Sequence, residues 1–181
     1  MLLTLLAFLA SQDVQPLILA VGDSMTAGFG VASEQSYPAQ LEKELIRRGF
    51  NYRVVNQGVT GSTTAQALSN FTRGLALSPT IVIIQLGGND ASAGIKPEVS
   101  RENIRRMIRQ LKPGHASVFL AGGRFPYLDE LAKSESVTVI PFLDGVAGHS
   151  DLLISDGHHP NGEGYALVVR NILKVLEPTL H

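Results

Sequence analysis

From Leu17 onward, short apolar runs alternate with longer segments whose apolar positions recur every three or four residues. Such an alternation is expected of a parallel sheet covered on both faces by helices, because a strand buried on both sides has no polar face to show. The runs predict strands over Leu17 to Val21, Tyr52 to Asn56, Thr80 to Leu86, Ser117 to Leu120 and Val137 to Ile140. Leu41 and Leu45 mark the inward face of a helix near Pro38 to Arg48, with Gly49 placed to end it in a left-handed conformation. Ala65 and Leu68 suggest a shorter helix after Ser62. Ile104, Met107, Ile108 and Leu111 stand at i, i+3, i+4 and i+7, and predict a helix whose opposite face carries Arg101, Arg105, Arg109 and Lys112 as a solvated basic row. A last helix is predicted from about Gly162 to Leu176, with Asn161 as its N-cap and Leu167, Val168, Ile172 and Val175 as its apolar stripe. The fold expected is α/β, a three-layer α/β/α sandwich. In such open sheets ligands bind beyond the carboxyl ends of the strands.

Composition narrows the function classes. The 181 residues, 44% of them hydrophobic, suffice for one domain with a sizeable core. Residues 13–181 are read as that domain, with no repeat or linker dividing it. Fifteen basic and 16 acidic residues nearly cancel, and no long run of either sign marks a polyanion-binding surface, so nucleic acid is not an expected partner. The chain has no cysteine, which excludes disulfides, thiolate nucleophiles and cysteine-based zinc sites. Residues 1–12 open with the apolar stretch MLLTLLAFLA, well short of the ~20 residues that span a bilayer. The segment reads either as a signal remnant, which implies a periplasmic or secreted protein, or as a helix packed on the domain of a cytoplasmic one; a sticky segment that dimerises or touches lipid ranks third.

Polar, glycine-bearing loops follow the predicted strands. The first strand runs into Gly22, Asp23, Ser24 and Met25, then Gly28 and Gly30, a setting that lets a serine stand at the mouth of a crevice. Taken alone, a Gly-Asp-Ser tripeptide is more often an ordinary turn. The second strand leads to Asn56, Gly58, Thr60, Gly61 and Ser62, and the third to Gly87, Gly88, Asn89 and Asp90. Backbone N–H groups of Ser24 and Gly61 and the side-chain amide of Asn89 are candidate donors to an oxyanion. Near the end of the chain Asp156 precedes His159 by three residues in a turn, close enough to hold the imidazole N–H and fix its tautomer. Asp156, His158 and His159 also carry metal-ligand atoms, but no further carboxylate cluster completes a shell, and no metal is expected. His115 and His149 are read as solvated surface residues. Ala91, Ala93, Gly94 and Ile95, with Phe125, Tyr127, Phe142, Leu152 and Leu153, are candidates for an acyl site; of these Ala91, Ile95, Phe125 and Leu152 are retained as weak substrate-binding candidates, and burial is the preferred reading of Phe142.

GDSM, VVNQGVTGST, LGGND and DGHHP, in that order and each on its predicted loop, resemble the SGNH (GDSL-type) hydrolase family, in its bacterial esterase and lysophospholipase branch with multifunctional thioesterase I. The resemblance implies a five-stranded parallel sheet of flavodoxin-like order, Ser24 as nucleophile, His159 and Asp156 as its base pair, an oxyanion hole of Ser24, Gly61 and Asn89, and no cofactor. The chain is expected to be a serine esterase, extending to thioesters or lysophospholipids, with a small-molecule acyl ester as partner and a monomer or weak dimer as its state; a shallow, partly open crevice would favour short acyl or aryl esters. Met25 stands where the family has leucine, His158 where an apolar residue is common, and 122–137 reads as short, as if part of a helix were missing. A carbohydrate acetyl esterase with the same groups and a non-catalytic small-ligand-binding domain are the alternatives; the absence of Trp offers no carbohydrate platform.

Overall fold

A computed structural model describes residues 15–180, so the readings of the first twelve residues lie outside the described part. The strands are β1 (Leu17–Gly22), β2 (Arg53–Gly58), β3 (Ile81–Gln85), β4 (Ser117–Ala121) and β5 (Thr138–Ile140). All neighbours pair in parallel, in the order β2-β1-β3-β4-β5. The order reverses at β1, so the crevice of a flavodoxin-like sheet opens beyond the carboxyl ends of β1 and β3. The helices are α1 (Ser24–Ala27), α2 (Tyr37–Arg47), α3 (Thr64–Leu75), α4 (Gly88–Ser92), α5 (Pro97–Leu111), α6 (Pro126–Glu135) and α7 (Gly162–Leu176).

Side chains that alternate along each strand divide the interior into two layers. Ile18, Ala20, Ile81, Ile83, Phe119 and Ile140 face α2 and α7, where they meet Leu41, Leu45, Tyr165, Val168 and Ile172. Leu17, Leu19, Val21, Val82, Ile84 and Leu120 face α3, α5 and α6, against Phe71, Ile104, Met107, Ile108 and Leu131. The three-layer α/β/α arrangement follows, with β1 buried throughout. Gly49 ends the α2 turn at φ +91°, and Asn161 caps α7 by accepting the N–H groups of Glu163 and Gly164, each at 3.0 Å.

One expectation needs correction. The basic row on α5 is not merely solvated: Arg105, Arg109 and Lys112 gather around Glu135 of α6 at 3.3, 2.9 and 2.9 Å. The Glu135 side chain is only 4% exposed, because α5 and α6 pack side by side and the carboxylate lies in the seam. Burial works to raise the Glu135 carboxyl, but hydrogen bonds from Lys112 and Arg109 outweigh it and hold it below the usual range. Residues 122–137 hold a ten-residue helix, α6, which starts at Pro126 and is capped by the left-handed Ser136. No helix among the described residues is long and apolar enough to cross a membrane.

Candidate active site

Ser24 begins α1, a single turn reached directly from β1. Asp23 caps that turn by accepting Met25 N–H at 3.0 Å, and Gly28 closes it at φ +82°. Burial pushes the Asp23 carboxyl up, offset in part by hydrogen bonds from Met25 and Gln85. Gly22 and Gly58, in register across β1 and β2, let α1 lie directly on the strand ends.

The opposite wall comes from the chain before α7. Leu153 and Pro160 form an antiparallel bridge, Ile154 N–H donates to the His159 carbonyl at 2.9 Å, and Gly157 turns the tip at φ +67°. Asp156 sits in this tip with its carboxylate fully engaged. Oδ1 accepts the backbone N–H groups of His158 at 2.8 Å and His159 at 2.9 Å, while Oδ2 lies 2.6 Å from His159 Nδ1. Those hydrogen bonds, the backbone one from His159 foremost, hold the Asp156 carboxyl at about 2. An ionised carboxylate only accepts, so Nδ1 carries the proton, and in the neutral ring Nε2 is the acceptor. Nε2 lies 2.8 Å from Ser24 Oγ. The ring is fixed between Phe29, with centroids 4.9 Å apart, and His158, at 4.8 Å and 85°. Burial, followed by the nearby charges of His159 and Arg124, holds His158 below the usual imidazole range.

Asn89 lies on α4 after β3 and donates Nδ2–H to the Ser62 carbonyl at 3.0 Å. Gly61, at φ +79°, immediately precedes that carbonyl. Among the described residues neither Ser24 N–H nor Gly61 N–H makes an intramolecular hydrogen bond. A cleft of about 440 Å³ is bordered by Ser24, Asn89, Ser92, Phe125, Phe142 and His159. Gly61 is not on its border. A second cavity of about 630 Å³ shares Gly122, Arg124, Leu143 and His158 with the first, and Leu153 lines it.

Among the weak substrate-binding candidates, Phe125 borders the cleft, stacked on Tyr127 at 5.6 Å. Ala91 and Ile95 do not border it: Ala91 is exposed and Ile95 half-buried. Leu152 packs half-buried against the core, Phe142 is buried with an edge at the cleft, and His115 and His149 stand exposed. Sequence reasoning missed Phe29, Gln85 and Arg124, whose roles at the cleft depend on tertiary placement; the Gly28-Phe29-Gly30 sequence was the one local signal for Phe29. Among the described residues no cluster of three or more His, Asp or Glu side chains is arranged to hold a metal ion.

Relatives agree with this architecture. The chain is 32% identical to the esterase TesA of Pseudomonas aeruginosa over an alignment of 190 positions that covers 97% of this chain and 94% of that one. It is 30% identical to an arylesterase of Vibrio mimicus, over 92% of this chain and 91% of the relative. A crystal structure of TesA superposes with a TM-score of 0.84 at 32% identity, covering 91% of this chain and 99% of that one. By fold and kinship the chain is an ester hydrolase of the α/β class. It belongs to the GDSL-like lipase/acylhydrolase family, which it matches over residues 20–167.

Proposed function

We propose that the protein is a serine esterase in which Ser24 is the nucleophile, His159 the general base and Asp156 the group that orients the ring. The observation that carries this reading is the unbroken chain of contacts from Asp156 Oδ2 through His159 to Ser24 Oγ, at 2.6 and 2.8 Å. Ser24 Oγ attacks the ester carbonyl carbon as its proton passes to His159 Nε2. The carbonyl π electrons move to oxygen, and that oxyanion is held by Ser24 N–H, Gly61 N–H and the Asn89 amide. Collapse breaks the bond to the leaving oxygen, which takes the proton from Nε2 and departs as the alcohol. Water then repeats the sequence on the acyl-enzyme, returning the acid and free Ser24.

The substrates proposed are short acyl and aryl esters. In support, the cleft of about 440 Å³ lies open between Phe125 and His159. The test is a fluorophosphonate probe together with 4-nitrophenyl esters of increasing chain length, applied to the wild type and Ser24→Ala. Labelling and hydrolysis of the acetate and butyrate, both abolished in Ser24→Ala, are the expected result. A folded wild type that resists the probe overturns the nucleophile, and a marked preference for palmitate overturns the short-chain part.

A further inference from the structure

The reading of Asn89 as an oxyanion donor leaves open what holds it in place. A helix of five residues is far too short to be stable through its own hydrogen bonds, so the orientation of α4 must be imposed from outside. Successive helical residues point about 100° apart. Asn89 therefore faces the cleft while Asp90 turns into the interior, where it is 1% exposed.

There the Asp90 carboxylate accepts three hydrogen bonds. Thr64 N–H donates to Oδ2 at 2.8 Å, and Thr64 Oγ1–H and Ser100 Oγ–H donate to Oδ1 at 2.5 and 2.9 Å. Asn103 in turn donates to Thr64 Oγ1 at 3.0 Å. One carboxylate thus ties α4 to the first residue of α3 and the first turn of α5, at a helix N-terminus where negative charge is favoured. The same stretch of chain is tied again from the cleft side, since Asn89 Nδ2 donates to the carbonyl of Ser62, two residues before Thr64. Loops after β2 and β3, which supply Gly61 and Asn89, are therefore stapled at two neighbouring points.

From this double staple we propose that Asp90 is a positioning residue: it sets the register of the Gly61–Ser62 loop against Asn89, and so the geometry of the oxyanion hole. The proposal rests on Asn89 acting as a donor. Its test is a double-mutant cycle on kcat and KM with 4-nitrophenyl butyrate. Asp90→Asn keeps the shape but sets an amide N–H or a weaker acceptor against the Thr64 and Ser100 donors. It is expected to lower kcat by about tenfold with KM nearly unchanged, since a partial misplacement of a donor affects the transition state alone. Asn89→Ala is expected to lower kcat by roughly 10²–10³-fold. In the double variant the Asp90→Asn effect should shrink well below about tenfold, because only Gly61 N–H remains for it to misplace. If the two losses multiply, Asp90 acts independently and the proposal is overturned; so is it if folded Asp90→Asn keeps the wild-type kcat. Should Asp90→Asn not fold, Thr64→Val removes one of the three hydrogen bonds to Asp90, with the acceptor for Asn103, and is read in the same cycle by the same criteria. Full turnover by Asn89→Ala removes the oxyanion reading and this proposal together. A crippled Asn89→Ala with multiplying losses removes this proposal alone.

Discussion

Gly58→Ala is a test of whether the strand ends determine where Ser24 stands. Gly58 lies outside the left-handed region, so alanine brings no backbone strain and the perturbation is purely steric. A Cβ at this position falls 2.6 Å from the carbonyl carbon of Thr26 and 2.8 Å from Ala27 Cα, where ordinary contact begins near 3.4 Å. These are backbone atoms of α1, the Ala27 nitrogen lies closer still, and no flexible side chain can swing aside, so the turn must retreat by at least about 0.8 Å. Because α1 is one turn that moves as a unit, Ser24 at its start moves with it. A shift of that size takes the 2.8 Å Ser24 to His159 contact to the edge of hydrogen bonding. Overpacking of this kind costs about 1–3 kcal/mol of stability, which lowers Tm by about 2–12 °C in a domain of this size. With Ser24 as the proposed nucleophile, its displacement should cost about 10²-fold in kcat. Circular dichroism melts and butyrate hydrolysis measure the two effects, with Gly114→Ala as the control, since a Cβ there meets nothing within 4 Å. A lowered Tm with wild-type kcat refutes the coupling of β2 to Ser24, and an unchanged Tm refutes the steric argument itself.

The Asp156 carboxyl, held at about 2, stays ionised below the ordinary carboxylate range, so no acid limb of kcat/KM above about pH 4 should come from its protonation, as a pH-rate profile reads. Asp156→Asn should lower kcat by roughly 10²–10⁴-fold without abolishing fluorophosphonate-accessible fold, as judged by circular dichroism. Glu135→Ala leaves Arg105, Arg109 and Lys112 facing one another and is expected to destabilise by about 1–3 kcal/mol in urea unfolding. Since the folded-state Glu135 carboxyl lies below its usual value, that stabilisation is present above the ordinary glutamate range and fades as the pH falls through the depressed one, so the wild type and Glu135→Ala should converge in acid. Asn161→Ala removes the acceptor for two N–H groups of α7 and should cost about 0.5–2 kcal/mol, measured in the same way.

Much of the sheet was legible because burial on both faces writes itself into composition. Ile81 to Ile84 and Leu17 to Val21 are apolar at every position, and the strands lie where those runs lie. At β2 the reading stopped at Asn56, yet the ladder continues through Gln57 to Gly58, paired with Val21 and Gly22. Those polar residues sit on a strand at the sheet edge, where backbone pairing continues after hydrophobicity ends, and only a partner strand reveals it. The helix α6 escaped for a different reason. It buries Leu128, Leu131 and Ala132 on a narrow face and turns Glu135 into a seam, so its pattern is weak and its one buried charge reads as a surface residue. The basic row of α5 was misjudged with it, since a cation on a helix face looks solvated until the neighbouring helix brings a carboxylate to it.

The candidate site divides along the same line. Asp156 and His159 are three residues apart, so their contact was legible from spacing alone, whereas Ser24 and His159 meet across 135 positions and were joined only through the order of four motifs. Gly61 and Asn89 were placed on the right loops, but nothing local says that Asn89 holds the carbonyl next to Gly61, or that Asp90 ties both loops from beneath. The LGGND run thus has a division of labour that a motif conceals. Its glycines permit the turn, with Gly87 at φ +115°, its asparagine faces the cleft, and its aspartate faces the core. Adjacent residues of a one-turn helix cannot point the same way, so a polar pair at such a position joins a cleft-facing group to an interior anchor. That is why a five-residue segment too short to be a stable helix can still hold the Asn89 amide steady at the cleft.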